Sequence, residues 1–442
     1  MFLKRLSDFL KLFRFRAGGW KAFLRPEYDR LAPLLKRAAG CYRKFFIPKC
    51  CVVAVVGSLG KTTTTRALNA VLQIPDRGHS HSNYGSSIAA NLLRTRPGDS
   101  HAVLEVGVKG PGQMASCARM LRPDIVVVTA IASDHNRSFP TLEDTRREKV
   151  RMLTDLSSTS YAVLNGDDPH VRWMASQTRA TVRTFGFNPE NDLRAADIRM
   201  DSPKGTRFKL HAGDESREAL IPLLGKHMVY PALAAATVGI LRGLTLDEIT
   251  ARLEKIKPAN ARLQWVELPN GAKILDDSHK ASLESVYAAI EIFLQIPAKR
   301  RILVLGSIEE PPGQQGPIYR ELGTWIGKRV DRIIGIGGDP LARLIGASVR
   351  AGMDKSCCTF VGSSFYHAVN ILKSELSEGD TVLVKGSSAQ QLRRIRIALS
   401  GRDVRCRVKY CSVKVDSCDV CPLVGEEEGV FHNYFISRSV RM

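Results

Sequence analysis

No stretch of this sequence approaches the ~20 consecutive apolar residues that span a bilayer, and its start lacks the apolar core and small-residue cleavage site of a secretory signal. A cytoplasmic protein is therefore expected. Cysteine is sparse: ten in 442 residues, including the adjacent pairs Cys50–Cys51 and Cys357–Cys358, which does not resemble a secreted disulfide framework and makes reduced thiols the default. Internal repeats and long low-complexity stretches are missing, as are a nucleic-acid-binding module and an aromatic stacking platform. No specific nucleic acid is expected as a partner. Acidic residues are also in short supply, 44 Asp and Glu against 65 Lys and Arg, leaving a net charge of +21.

That surplus is uneven. Residues 1–50 hold 13 Lys and Arg against the three acids Asp8, Glu27 and Asp29. Within them FLKRLSDFLKLFRFR (2–16) sets Phe2, Leu3, Leu6, Phe9, Leu10 and Phe13 at helical spacing, with Lys4, Arg5, Lys11 and Arg14 largely on other faces. Two readings are open: peripheral contact of residues 1–17 with an anionic membrane, at its inner face, or a helix packed on its own domain.

What is abundant is apolar sequence in short runs, 44% hydrophobic overall, enough for two to four domains at ~150 residues each. CVVAVVG (51–57), AVLEVGV (102–108), DIVVVTAI (124–131) and YAVLNG (161–166) alternate with helical segments, the pattern of a parallel sheet covered on both faces. A second series follows in AKILDD (272–277), RILVLG (301–306), RIIGIGG (332–338) and TVLVKGS (381–387). Residues 203–222 read as strands and turns, and an Ala-rich helix is expected over 230–242. The expected fold is α/β, a P-loop parallel-sheet ATPase domain followed by a Rossmann-like domain. Its parts are a basic helical module (1–50), an ATP-binding domain (51–258), a second α/β domain (259–405) and a Cys-containing tail (406–442).

The first strand runs into Gly57-Ser58-Leu59-Gly60-Lys61-Thr62-Thr63 and then a helix. Backbone N–H groups of such a turn cradle phosphate, Lys61 can reach the terminal phosphates, and a hydroxyl can ligate magnesium. The strict P-loop spacing asks for glycine at position 55, which is Val55.

A short G-[ST]-x-G-K-T-T loop resembles that of the Mur ligase family, ATP-dependent enzymes that join a carboxylate to an amine. Further segments follow in the family's order: Ser82-Asn83-Tyr84-Gly85, LEVGVKGPGQM (104–114), RPDIVVVTAIASDH (122–135), REKV (147–150), VLNGDD (163–168), GKHMVYPALAAA (225–236), ANARLQ (259–264), ILDDSHKASLES (274–285), LVLGSIEE (303–310) and VLVKGSS (382–388). The resemblance covers roughly residues 51–400 and is nearest the branch that adds D-alanyl-D-alanine to a cell-wall peptide precursor.

The resemblance implies ATP and Mg2+ as cofactors and an acyl-phosphate mechanism. The implied catalytic set is Lys61, His135, Lys149, Arg262 and Lys385. Gly57, Ser58, Gly60, Lys61, Thr62, Thr63, Asn165, Arg262 and Asp277 are implied nucleotide contacts, Asp276 or Asp277 meeting the ribose or orienting the lid. Thr62, Glu105, His135 and a carbamylated Lys149 are the implied metal ligands; a lysine within RREKVR would otherwise be a solvated helix residue. The partners implied are a small-molecule or lipid-linked carboxylate and an amino-acid or dipeptide amine.

Departures bear on the substrate. The family's H-N-x-x-N is His227-Met228-Val229-Tyr230-Pro231, Ala261 replaces the glycine before Arg262, and D-D-S-Y-N-A-N-P is Asp276-Asp277-Ser278-His279-Lys280-Ala281-Ser282-Leu283. Residues 1–50 are too few to build that branch's separate UDP-sugar domain. A nucleotide-binding scaffold without ligase activity is the alternative these changes raise. Finally, Cys406, Cys411, Cys418 and Cys421 form C-x4-C-x6-C-x2-C, open to a tetrahedral zinc site, an iron–sulfur cluster, or buried or redox-active thiols.

Overall fold

The computed structural model describes residues 25–75, 85–132, 138–311, 313–407, 411, 418–421 and 424–425. His135, residues 1–17 and Ser82-Asn83-Tyr84 lie outside them. The chain divides into two compact units, one running from Pro26 to Ala259 and the other taking in the chain from Asn260 onward.

The first unit is built on β1 (Cys51–Val56), β2 (His101–Glu105), β3 (Ile125–Val128), β4 (Tyr161–Asn165), β5 (Thr181–Gly186), β6 (Leu193–Asp201), β7 (Gly205–Ala212) and β8 (Glu215–Ile221), in the order β2-β1-β3-β4-β5-β6-β7-β8. Pairing is parallel from β2 to β6 and antiparallel through β7 and β8. Every residue of β1 and β3 is buried. Their side chains alternate between two apolar clusters: Val52, Ala54 and Val56 join one, while Val53 and Val55 join the other with the helix Val229–Leu241. Unbroken β-branched runs fold this way because both faces of the sheet are covered.

β1 is joined onward to β2 on one side, and β3 to β4 on the other. The carboxyl ends of β1 and β3 therefore flank a topological switch point, where α/β sheets bind ligands.

Residues 26–50 cluster with this unit. The helix Arg25–Phe45 is anchored at its end by the buried Arg43, which donates to Ile47 O (2.7 Å), Leu121 O (3.2 Å) and Asp124 Oδ2 (2.9 Å). Tyr42 Oη donates to Thr95 O at 2.7 Å. Among the described residues no helix is long and apolar enough to cross a membrane.

The second unit holds β9 (Gln264–Glu267), β10 (Lys273–Asp277), β11 (Arg301–Leu305), β12 (Arg332–Gly335), β13 (Cys358–Phe360) and β14 (Thr381–Lys385), in the order β13-β12-β11-β14-β10-β9 with β9 antiparallel. β14 pairs in parallel with both β10 and β11, so Lys385 stands level with Asp277 and Leu305 at one end of the sheet. The described part of the tail folds back onto this unit: Val404 and Val424 are buried in its core, and Arg405 N–H donates to Val424 O at 2.7 Å.

Candidate functional site

The phosphate loop follows β1. Gly57 has φ +147°, and a Cβ there would stand 2.0 Å from Thr129 Oγ1, so only glycine fits. Gly60 (φ +81°) turns the chain into the helix Lys61–Val71 with no side-chain cap, which leaves first-turn N–H groups available to an anion. Residues beyond β3 lock the loop from below: Ser58 N–H donates to Ala130 O (2.7 Å) and Thr129 Oγ1 to Leu59 O (2.6 Å).

Asn165 reinforces that support. It is buried, donates from Nδ2 to Thr129 O (2.8 Å) and accepts the Asp167 N–H (3.1 Å). The structure thus gives Asn165 a place under the loop. Thr63 is likewise buried in the helix. Ser58 Oγ is buried without a hydrogen-bond partner, the kind of orphan hydroxyl that a phosphate oxygen satisfies.

Lys61 Nζ donates to Gly57 O (2.8 Å) and Ser58 O (3.1 Å), curled over the loop it would share with a phosphate. Lys149, at the end of the helix Leu142–Lys149, reaches the same carbonyl at 3.0 Å and is only 4% exposed. It is not the solvated residue its basic neighbours suggested. The turn of helix that buries it also buries Glu148, whose carboxylate accepts the Gly112 and Met114 N–H groups (2.9 and 2.8 Å) at the start of the helix Gln113–Leu121.

Glu105 ends β2 level with Val55 and accepts a hydrogen bond from Thr62 Oγ1 at 2.9 Å. A hydroxyl and a carboxylate side by side at a phosphate loop are hard oxygen donors that suit magnesium, which commonly takes one or two carboxylates with the remainder from phosphate oxygens and water. Among the described residues no group of three His, Cys, Asp or Glu side chains is disposed to hold a metal by itself.

In the second unit Arg262 sits between Ala261 (φ +53°) and Leu263 (φ +49°), two non-glycine residues in left-handed backbone. The glycine expected at 261 is thus replaced by an alanine that keeps a glycine-like conformation at a cost in strain. The loop is held by its surroundings: Leu263 N–H donates to Asp277 Oδ1 (3.1 Å), His279 N–H to Ala261 O (3.0 Å), and Ala261 N–H to Gln264 Oε1 (3.1 Å). Asp277 Oδ2 pairs with Lys385 Nζ at 2.7 Å, and Lys385, 1% exposed, also donates to Lys280 O at 2.6 Å. Asp276 is fully buried against Arg396 (2.9 Å), while the Asp277 side chain is 13% exposed.

Sequence reading missed the supports: Thr129 and Glu148 lie inside quoted segments without being singled out, Arg396 lies outside them, and all three are found only by what they touch. Tyr230 is another. Its hydroxyl donates to Asp167 Oδ2 (2.9 Å), its ring lies 4.2 Å from that of Phe187, and burial first, then the Asp167 charge, pushes its phenol well above the ordinary range.

The tail cysteines do not form the zinc site that their spacing left open. Among the described residues they are not gathered into a group that could hold a metal; Cys418 Sγ donates to Gln391 Oε1 (3.2 Å), and burial pushes its thiol up to about 12. Arg394 Nη1 lies 3.5 Å from Cys406 Sγ.

Comparison with known proteins bears on the same segments. Residues 55–239 match the family model for the Mur ligase middle domain, and residues 261–388 that for the Mur ligase glutamate ligase domain. The chain is 29% identical over 359 residues to the UDP-N-acetylmuramoyl-tripeptide--D-alanyl-D-alanine ligase of Escherichia coli, covering 79% of this chain and 76% of that one. It is 28% identical over 352 residues to the enzyme of the same name from Bacillus subtilis, covering 78% and 74%. In fold it is similar to a crystal structure of MurF from Acinetobacter baumannii (TM-score 0.75, 21% identity, 84% of this chain and 81% of that one). A MurF ligase from Thermotoga maritima in complex with ADP is also similar (TM-score 0.71, 22% identity, 84% and 83%).

Proposed function

The chain belongs to the Mur ligase family, ATP-dependent ligases that form an amide bond between a carboxylate and an amine, and we propose that it joins a cell-wall peptide precursor to an amino-acid or dipeptide amine through the residues described above. The observation that carries this reading is the phosphate loop itself: Gly57, the αL Gly60, the orphan Ser58 hydroxyl and Lys61 converge beside Thr62 and Glu105. No comparison favours a scaffold without ligation.

The substrate carboxylate takes the γ-phosphoryl group of the nucleotide, giving an acyl phosphate and ADP. The amine nitrogen then attacks the acyl carbon, loses a proton, and the tetrahedral adduct collapses to the amide with loss of phosphate. Phosphoryl transfer of this kind asks the protein chiefly to position the reactants and neutralise charge. Lys61 and the first-turn N–H groups serve the phosphates. Thr62 and Glu105 would hold magnesium, with a carbamylated Lys149 supplying a further anionic oxygen and His135 the remaining family position. Magnesium, when bound, screens the phosphate charge against the incoming carboxylate. Arg262 and Lys385 carry positive charge to the substrate end, where Asp277 pairs with Lys385 and holds the backbone next to Arg262.

His279 and Lys280, in place of tyrosine and asparagine, favour an amine substrate bearing an anionic group. We place the protein in the cytoplasm, with residues 1–17 as its contact to an anionic membrane face; support for that contact is their basic amphipathic pattern alone.

The test is magnesium-dependent phosphate release with UDP-N-acetylmuramoyl-tripeptide and D-alanyl-D-alanine, alongside amines with an added carboxylate. The wild type is expected to release phosphate only when both substrates are present, and Lys61→Ala to lose about 10²–10³-fold in rate. Equal rates for wild type and Lys61→Ala on every pair would end the ligase reading.

A further inference from the structure

The described tail lies beyond residue 388, where the match to the family model ends, yet it grips both segments that flank Lys385. On one side Asp419, in the short turn Cys418–Val420, pairs with Arg396, and the Arg402 guanidinium donates to Asp419 O. Arg396 uses a different nitrogen, Nε, to donate to Asp276 Oδ2 at 2.9 Å. The guanidinium is thus clamped between two carboxylates, one on a fully buried strand end and one on the tail.

Asp276 in turn shapes the turn that follows it. Its Oδ1 accepts Ser278 Oγ (2.6 Å) and Ser278 N–H (3.1 Å), and two residues on, Lys280 O accepts Lys385 Nζ. On the other side the tail holds the loop after β14: Cys411 N–H donates to Ala389 O (2.7 Å) and Cys418 Sγ to Gln391 Oε1 (3.2 Å). Gln390, between them, accepts the Ser307 N–H (2.7 Å) and donates to Ile336 O (2.9 Å), linking that loop to the ends of β11 and β12.

We propose that Asp419 is a positioning residue: through Arg396 and Asp276 the tail acts as a strap that sets the 276–280 turn and, with it, the place of Lys385 at the substrate end. The physical reason is the directionality of the guanidinium fork. An arginine held by one carboxylate can pivot about that contact, whereas one held along two edges has a single orientation, and the buried Asp276 carboxylate takes its orientation from it. Asp419 touches no reacting atom in this scheme; it acts at a distance by removing freedom from Lys280 O and Asp277, the two acceptors that fix Lys385.

This inference rests on the ligase reading for its kinetic consequence but not for its structural one, so the experiment has two arms in the full chain. In the first, wild type, Asp419→Asn and Asp419→Glu are compared in magnesium-dependent phosphate release. Asp419→Asn is expected to lower kcat about 10- to 100-fold, the scale of a small misplacement of a reacting group, with the KM for ATP unchanged and most of the loss restored in Asp419→Glu. In the second arm, hydrogen exchange of residues 278–280 and 387–391 and alkylation of Cys418 are followed without substrates. Asp419→Asn is expected to speed exchange in both segments and to expose Cys418. Native exchange and alkylation in Asp419→Asn overturn the strap, as does faster exchange with an unchanged kcat. A wild type that releases no phosphate refutes the ligase reading and with it the kinetic role, leaving the exchange arm to decide the strap alone.

Discussion

Lys61 and Lys149 donate to one carbonyl, that of Gly57, at 2.8 and 3.0 Å. Two ammonium groups meet at that carbonyl, Lys61 also reaching Ser58 O at 3.1 Å, and the buried Lys149 bears the larger desolvation cost. The arrangement is eased if Lys149 is converted to a carbamate, which turns a cation into an anion where magnesium and phosphate are to meet.

Lys149→Ala is therefore expected to lower turnover about 100-fold or more, and added acetate, a small carboxylate able to enter the space left by the side chain, to restore part of it. Wild-type activity should fall in buffer freed of carbon dioxide and return with bicarbonate, while Lys149→Ala ignores bicarbonate. Kinetics under controlled bicarbonate measure this; a wild type indifferent to bicarbonate together with a variant indifferent to acetate removes the carbamate from the scheme.

Glu105→Gln retains the shape of the side chain and the hydrogen bond from Thr62 but removes the charge. The magnesium concentration for half-maximal activity should rise about tenfold or more, ~1.4 kcal/mol, with little change in thermal midpoint. A magnesium titration at saturating ATP reads it. An unchanged requirement would mean that Glu105 serves Thr62 and the loop alone.

Asp380 is fully buried, and burial by itself would raise its carboxyl; the hydrogen bonds from Arg300 (Nε to Oδ1, 3.0 Å) and from the Ser377 N–H (2.9 Å) outweigh this and hold it below the usual range. A depressed folded pKa contributes stability above the unfolded value of ~3.9 and loses it as pH falls through and below that value. Asp380→Asn should cost about 1.5–3 kcal/mol at pH 7, and the gap between variant and wild type should narrow as pH falls below the unfolded value. Urea unfolding at several pH values measures it, and a gap that stays constant with pH would contradict the assignment.

Deletion of residues 1–17 is expected to reduce binding to vesicles containing anionic lipid and to leave turnover of soluble substrates mostly intact. Co-sedimentation with anionic and neutral vesicles checks this. Equal binding by the two proteins rules out the membrane role.

The two sheets were legible in sequence because a strand buried on both faces is written as an unbroken β-branched run: CVVAVV and TVLVK are buried at every position. β9 and β13 were not named, because each is short, carries no such run and has no fully buried residue. The glycines of the phosphate loop were legible for a related reason, since positive φ and a 2.0 Å approach to Thr129 leave one residue type. The burial of Lys149 was not legible, because it lies among charged residues in sequence while folding sets its ammonium against the Gly57 carbonyl.

The sequence by itself determined the α/β class, the phosphate loop with Lys61 and Thr62, and membership in a ligase family, each of which depends on local pattern or on motifs kept in order along the chain. Only the tertiary structure decided that Asn165 supports the loop, that Asp277 joins Lys385 to the backbone beside Arg262, and that the tail cysteines pack without forming a metal site. These depend on contacts between residues tens to more than a hundred positions apart, such as Arg396 with Asp276, and on whether burial leaves a group charged. Spacing along a chain does not encode either, because packing and desolvation are properties of the neighbours that folding supplies.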